Sequence, residues 1–338
     1  MVKVAINGLG RIGRATLKVI LEHPELELAA VNDIADPDNL AFLLRYDSVY
    51  GRYDKPVESD GKNITIDGKQ YPIFGEKDPA DLPWGDLGID IVFECAGIFR
   101  KKEDLEKHLQ AGARKVILSA PPKSEGIPTL IPGVNDQNDE YPDILSTASC
   151  TTNCVAPVME IMDRRIGVKK ALLNTVHAYT SSQNIVDGPS KKFRRGRAAA
   201  ENLVPTSTGA AKSTGVVLSQ FENNFDGVAI RAPVPVGSIS DITMVTKRET
   251  SVEEIADIFR EEAGSERYKD IVGASEDELV SSDIIQDSRP SVVDLKMTRV
   301  IDGDLVKIMS WYDNEWGYAS QMVKQGVKVA QRAFETAS

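Results

Sequence analysis

The sequence predicts an α/β chain of two domains: a mainly parallel sheet wound with helices, then an α+β domain built on an antiparallel sheet. Three observations predict it. The chain has 338 residues, more than one core of roughly 100–200 residues holds. In its first half short apolar runs alternate with helical patterns, as βαβ units do. In its second half long β-prone stretches stand between polar loops.

The elements follow in order. Val2–Asn7 reads as a strand, Arg11–Glu22 as a helix, Leu26–Asn32 as a second strand and Pro37–Leu44 as a helix. Tyr53–Ile73 breaks the rhythm: its alternation and its Asp60-Gly61 and Asp67-Gly68 turns predict an antiparallel hairpin inserted into the fold. Ile89–Glu94 suits a strand buried on both faces. Lys101–Ala111 is a helix ended by Gly112, and Lys115–Ser119 and Ile144–Ser146 are short strands. A further helix runs from Cys150 to about Arg165. β-prone stretches follow at Lys170–Tyr179, Gly227–Pro233, Asp241–Lys247, Ser291–Val300 and Leu305–Tyr312, with helices at Val252–Ala263 and Ala319–Ala333. The expected domains are 1–149 and 150–314, with a C-terminal helix within 315–338 returning to complete the first.

Composition narrows the function. Apolar residues at 41% and charged residues at 27% suit a globular core that needs neither disulfides nor metal. A net charge of −11 argues against nucleic acid or an anionic membrane as the main partner. No signal peptide and no membrane span are expected. The three cysteines, Cys95, Cys150 and Cys154, fit a reducing compartment, so the expected location is the cytoplasm.

Gly8-Leu9-Gly10-Arg11-Ile12-Gly13 follows a strand and opens a helix, and Asp33 lies about 20 residues further on, the context of a Rossmann dinucleotide fingerprint. Gly8 permits the tight turn, Gly10 lets the backbone approach a pyrophosphate, and Gly13 lets helix pack on strand. Phosphates sit at the helix N-terminus. Asp33 is placed for the adenosine ribose diol and would repel a 2′-phosphate, so NAD is expected, with NADP left open.

Cys150 stands at the start of a helix, where the dipole stabilises a thiolate. Its backbone N–H is a candidate oxyanion donor. Cys154, a turn deeper, reads as a buried packing residue, and no metal site is expected. Of the three histidines, His23 and His108 are expected to face solvent, whereas His177 ends an apolar β-run. A Cys–His pair drawn from two elements of a cofactor-binding enzyme points to nucleophilic catalysis.

The segments Ile6-Asn7-Gly8-Leu9-Gly10-Arg11-Ile12-Gly13-Arg14, Ala148-Ser149-Cys150-Thr151-Thr152-Asn153-Cys154, Pro205-Thr206-Ser207-Thr208-Gly209-Ala210-Ala211-Lys212 and Ser310-Trp311-Tyr312-Asp313-Asn314-Glu315 resemble the glyceraldehyde-3-phosphate dehydrogenase family, in order along the whole chain. The resemblance implies an NAD(P)-dependent phosphorylating aldehyde dehydrogenase that converts glyceraldehyde 3-phosphate and inorganic phosphate to 1,3-bisphosphoglycerate, in glycolysis or gluconeogenesis. It implies a thioester on Cys150 with His177 moving protons, and a homotetramer. Positions matching Thr180 and Arg231 hold the substrate phosphate in that family. Those matching Ser149, Thr151, Thr208 and Gly209, with Arg195 nearby, hold the attacking phosphate; Arg197 is the reserve for Arg195. Gly8, Gly10, Arg11, Ile12, Asp33, Lys77, Ser119 and Asn314 match cofactor contacts, Asn314 at the nicotinamide amide.

Two departures stand out. Lys77 sits where many members carry arginine, which keeps the charge without the planar fork. Ala232-Pro233-Val234-Pro235-Val236-Gly237-Ser238 replaces a typical Val-Pro-Thr-x-Asn-Val-Ser, at a substrate-side or subunit contact. Erythrose-4-phosphate dehydrogenase, which hydrolyses its thioester, is the neighbouring alternative. A non-catalytic binding protein on the same fold is the more distant one.

Overall fold

The computed structural model describes residues 1–136 and 141–334. Its contacts divide the chain into two units. The first takes the described residues among 1–130, 138–148 and 319–338, and the second those among 131–137 and 149–318. The return of 131–136 to the second unit is a detail that the sequence does not announce.

The first unit is built on an eight-stranded sheet in the order Ile144–Ser146, Lys115–Leu118, Ile91–Glu94, Val2–Asn7, Leu26–Asn32, Lys69–Phe74, Asn63–Ile66, Val57–Ser59. The strands from Ile144–Ser146 through Lys69–Phe74 pair in parallel. The expected hairpin region is therefore no separate insertion. Lys69–Phe74 joins the main sheet beside Leu26–Asn32, and only the last two strands run antiparallel beyond it. Central strands carry Val4, Ile6, Val92, Phe93 and Ile117 at full burial, as strands covered on both faces must. Helix Arg11–Ile20 packs close because Gly13 has no side chain: a Cβ there would lie 1.8 Å from the Gly8 carbonyl oxygen. The expected C-terminal helix spans Trp316–Phe334; residues 335–338 lie outside the described set.

The second unit carries a seven-stranded sheet in the order Val204–Ser207, Phe225–Ala232, Val168–Ala178, Ser238–Thr246, Leu305–Tyr312, Ser291–Ile301, Val272–Ser275. Most neighbours are antiparallel, but Val168–Ala178 runs parallel to Phe225–Ala232, and Val272–Ser275 parallel to Ser291–Ile301. The first of these parallel pairs matters for the site, because its register sets His177 opposite Arg231. Helix Cys150–Arg165 is capped by Ser149, whose Oγ accepts the Thr152 N–H at 3.1 Å.

His108 corrects the expectation of a solvent-facing residue. It is fully buried, stacked beside Trp84 and bonded to Glu94. His23 is about a third exposed and pairs with Glu25 at 3.6 Å.

Candidate active site

In the second unit Cys150 Sγ lies 3.4 Å from His177 Nε2. Two elements produce this contact. The Ser149 cap starts the helix at Cys150, and the strand Val168–Ala178 ends just past His177. The backbone N–H groups of Cys150 and Thr151 and the Thr151 hydroxyl also reach the sulfur. Cys154 is fully buried one turn deeper, as expected.

Burial pushes the Cys150 thiol up from its ordinary value, against the downward pull of the Arg231 charge and the nearby N–H donors. His177 is pushed down to about 3, first by burial and then by the Arg231 charge, while its bond to Ala178 works the other way. Both shifts favour the uncharged forms of the pair. His177 Nδ1 lies 2.7 Å from the Ala178 carbonyl and 2.6 Å from Arg231 Nη1, which itself donates to that carbonyl at 2.9 Å. Nδ1 cannot both donate to Ala178 and accept from the donor-only Arg231 guanidinium. With Nδ1–H donating to Ala178, the Arg231 approach is a close contact rather than a hydrogen bond, and the Nε2 lone pair faces the sulfur and can take its proton.

Arg231 and Arg195 form a cationic basin. Arg195 donates to Thr206 Oγ1 at 3.0 Å and to Ser182 Oγ at 3.4 Å, and Ser182 in turn bonds Thr180 Oγ1 at 2.8 Å. Arg231 keeps a buried Nε–H without a partner. The partners of both arginines are uncharged. Burial and the Arg195 charge depress the Arg231 pKa, and the neighbouring Cys150 offsets this in part. Two cations held together without a carboxylate are suited to phosphate. Arg197 is different: it pairs with Asp187 at 2.9 Å. The geometry thus favours Arg195 over Arg197.

The remaining expected anion ligands are placed less uniformly. Thr208 accepts the Ala210 N–H at 3.1 Å, and Gly209 opens the helix Ala210–Val217 next to it. Both follow Ser207, whose carbonyl Arg195 touches. Ser149 spends its oxygen on capping. The Thr151 hydroxyl lies 2.9 Å from the Tyr312 hydroxyl as well as near the sulfur.

Tyr312 and Ser238 have site positions that the sequence reading missed. The Tyr312 hydroxyl joins Thr151 and Thr175, and its ring stands edge-on to His177, 6.0 Å between centroids. Ser238 Oγ accepts the Ala178 N–H at 3.1 Å and donates to Asn314 Oδ1 at 2.9 Å. Gly237 was the available signal: its φ of +90° and a would-be Cβ 2.1 Å from the Ser281 carbonyl show why no side chain stands before Ser238.

In the first unit a cleft of about 490 Å³ is lined by Asn7, Gly8, Gly10, Asn32, Asp33, Ile34, Lys77 and Ile98 among others. At Gly8, with φ of +92°, a Cβ would lie 2.5 Å from Ala96 N, whereas at Gly10 it would meet nothing within 4 Å. That is a turn open only where a pyrophosphate would approach. Asp33 accepts N–H groups from Leu9 at 2.6 Å and Ala35 at 2.9 Å, which fixes its carboxylate beside the turn. Exposed Ile34 and Ile98 give the cleft apolar walls for a flat base. Arg11 spends its guanidinium on Asp47 at 2.5 Å and Tyr50, leaving it and Ile12 as backbone donors of the first helical turn. Lys77 is exposed on the rim, and Ser119 follows the strand Lys115–Leu118, its hydroxyl on Cys95. These residues fit a dinucleotide.

Residues 2–102 match the family description "Glyceraldehyde 3-phosphate dehydrogenase, NAD binding domain", and residues 149–314 match "Glyceraldehyde 3-phosphate dehydrogenase, C-terminal domain". The chain belongs to the glyceraldehyde-3-phosphate dehydrogenase family. Among its relatives, a glyceraldehyde-3-phosphate dehydrogenase of Streptomyces coelicolor is 46% identical over 336 residues, 98% of this chain and 99% of the relative. Glyceraldehyde-3-phosphate dehydrogenase 1 of Bacillus subtilis is 45% identical over 337 residues, with 98% and 99% covered. One from Thermotoga maritima is 46% identical over 325 residues, covering 96% and 97%. The two family segments correspond to the Rossmann-type sheet and to the unit that carries Cys150 and His177.

Proposed function

We propose that this protein is an NAD-dependent phosphorylating glyceraldehyde-3-phosphate dehydrogenase working through a thioester on Cys150. The observation that carries the reading is the 3.4 Å approach of Cys150 Sγ to His177 Nε2 beside two arginines with only neutral partners.

His177 Nε2 takes the thiol proton as Sγ bonds to the aldehyde carbon, and the carbonyl electron pair moves onto oxygen. The Cys150 N–H stabilises that oxygen. Hydride loss from the hemithioacetal carbon, the chemistry that a bound nicotinamide supplies, leaves the acyl group on sulfur. A phosphate oxygen then attacks the thioester carbonyl, the C–S bond breaks, and the sulfur regains its proton. Burial of His177 beside Arg231 makes the imidazolium a poor resting state, which favours returning its proton to the sulfur as the C–S bond breaks. Arg231 and Thr180 bind the substrate phosphate. Arg195, Thr208, Gly209 and the first N–H groups of the Cys150 helix bind the attacking one. Gly8, Gly10, Arg11, Ile12, Asp33, Lys77, Ser119 and Asn314 hold the dinucleotide. The fixed Asp33 carboxylate favours NAD over NADP.

The homotetramer is supported by a loop that exposes Ile185 at 83%, Val186 at 73% and Phe193 at 89%, apolar surface suited to another copy. The sparse cysteines, all free, support a cytoplasmic location. The net charge of −11 supports small molecules rather than nucleic acid or membrane as partners, and no helix among the described residues is long and apolar enough to cross a membrane.

The test is NADH formation from glyceraldehyde 3-phosphate by the purified protein, with and without phosphate, beside Cys150→Ser. Phosphate-dependent turnover that the substitution abolishes, with NAD binding retained, is expected. Phosphate-independent turnover, or a faster rate on erythrose 4-phosphate, would overturn the assignment.

A further inference from the structure

We propose that His108 and Glu94 are positioning residues for the adenosine half of the dinucleotide, acting through a buried relay that runs from Trp84 to the cleft of the first unit. The proposal rests on the dinucleotide reading above and assigns work to two ionisable side chains that the reaction itself does not use.

The direction of every bond in the relay is forced. An indole N–H only donates. Trp84 Nε1 lies 3.0 Å from His108 Nδ1, so Nδ1 is the acceptor and the imidazole proton sits on Nε2. Nε2–H then donates to Glu94 Oε2 at 3.0 Å. The same carboxylate accepts Asn7 Nδ2 at 2.5 Å and the Ala96 N–H at 2.7 Å. Because Asn7 spends its amino group on Glu94, its oxygen is left to accept Asn32 Nδ2 at 2.7 Å. Asn32 closes on the Glu76 backbone in both senses, donating to its carbonyl at 3.0 Å and accepting its N–H at 2.9 Å.

Trp84, Glu94 and His108 are all completely buried, and Asn7 and Asn32 nearly so. A carboxylate with no access to water is costly unless its oxygens are satisfied, so each donor matters. The relay has two outlets, and both reach the cleft wall. One is Ala96, the backbone against which Gly8 makes its turn. The other is Glu76 with its neighbour Lys77, across from Asn32 and Asp33. The imidazole tautomer, chosen by Trp84 away from the cleft, thus decides how the two walls are held.

Replacing the imidazole by a group that reproduces its acceptor–donor pattern separates positioning from simple bulk. A glutamine carboxamide can accept from Trp84 and donate to Glu94 in one orientation; a leucine can do neither. His108→Leu, His108→Gln and Trp84→Phe are compared with wild type in the full chain by calorimetric titration with ADP-ribose, by kcat and KM for NAD, and by Tm. His108→Leu is expected to weaken ADP-ribose by about tenfold or more and to raise KM for NAD, with kcat within about twofold. His108→Gln is expected to stay within about threefold of wild type, and Trp84→Phe to fall between. A lowered Tm with unaltered ADP-ribose affinity in His108→Leu overturns the proposal, as does a His108→Gln no better than His108→Leu. Wild-type protein that takes up no ADP-ribose overturns the dinucleotide reading and the proposal with it. Wild-type protein that binds ADP-ribose but gives no turnover counts against the chemistry proposed at Cys150, and the ADP-ribose affinities of the variants then decide the relay on their own.

Discussion

The Ser238 hydroxyl donates to the Asn314 amide oxygen at 2.9 Å and so decides which end of that carboxamide is left to donate. Ser238 is itself fixed by the Ala178 N–H, the residue after His177. A single buried hydroxyl therefore orients the side chain proposed to meet the nicotinamide amide. Ser238→Ala lets the carboxamide flip. We expect a KM for NAD raised roughly tenfold, about 1.4 kcal/mol, with ADP-ribose binding unchanged. Steady-state kinetics beside titration with ADP-ribose checks it; equal losses for both ligands would contradict it.

His177 makes stability depend on acid in a definite direction. Its folded pKa lies at about 3 and its ordinary value at 6.5, so the neutral ring belongs to the folded state. As pH falls below 6.5 the unfolded chain binds a proton that the folded chain refuses, and stability declines until pH reaches about 3. The slope from this one group is at most about 1.4 kcal/mol per pH unit. Urea denaturation of wild type and His177→Asn between these limits should give a shallower decline for the variant. Parallel curves would mean that the imidazole is not held neutral.

Arg231 pulls the Cys150 thiol down while burial pushes it up. Removing the cation in Arg231→Gln leaves burial less opposed. The pH profile of Cys150 alkylation by iodoacetamide should move to higher pH, and the rate at neutral pH should fall. An unmoved profile would separate Arg231 electrostatically from the nucleophile.

Gly13→Ala tests the packing that forms the nucleotide turn. The added Cβ would stand 1.8 Å from the Gly8 carbonyl, a backbone atom that cannot swing aside. A loss of about 2–4 kcal/mol is expected, together with loss of NAD binding. Gly10→Ala, whose Cβ meets nothing, should fold normally and lose binding alone. Equal stability of the two variants would contradict this account of the turn.

Local features were legible in the sequence. The Gly8–Gly13 turn, the Ser149-capped helix at Cys150 and the strand ending at His177 each rest on neighbours a few residues away. What was not legible depends on partners distant in the chain. His108 lies in a helix rich in Lys and Glu, and only Trp84 and Glu94, brought in by a neighbouring helix and strand, explain its burial. Arg231 reaches His177 through a parallel pairing that local alternation cannot distinguish from an antiparallel one. Arg195 and Arg197 look alike until Asp187 is seen to pair with the second. Tyr312 was noticed as part of a motif, but its link to Thr151 and Thr175 needs three elements to meet.

The most direct test of the account is the covalent state of Cys150 after one turnover. Protein mixed with NAD and glyceraldehyde 3-phosphate in phosphate-free buffer should release about one NADH per site in a burst, and mass spectrometry of the acid-quenched protein should find the phosphoglyceryl acyl group on the Cys150 peptide, discharged when phosphate is added. An unmodified Cys150 peptide alongside a full burst, or an acyl group carried by another residue, would contradict it.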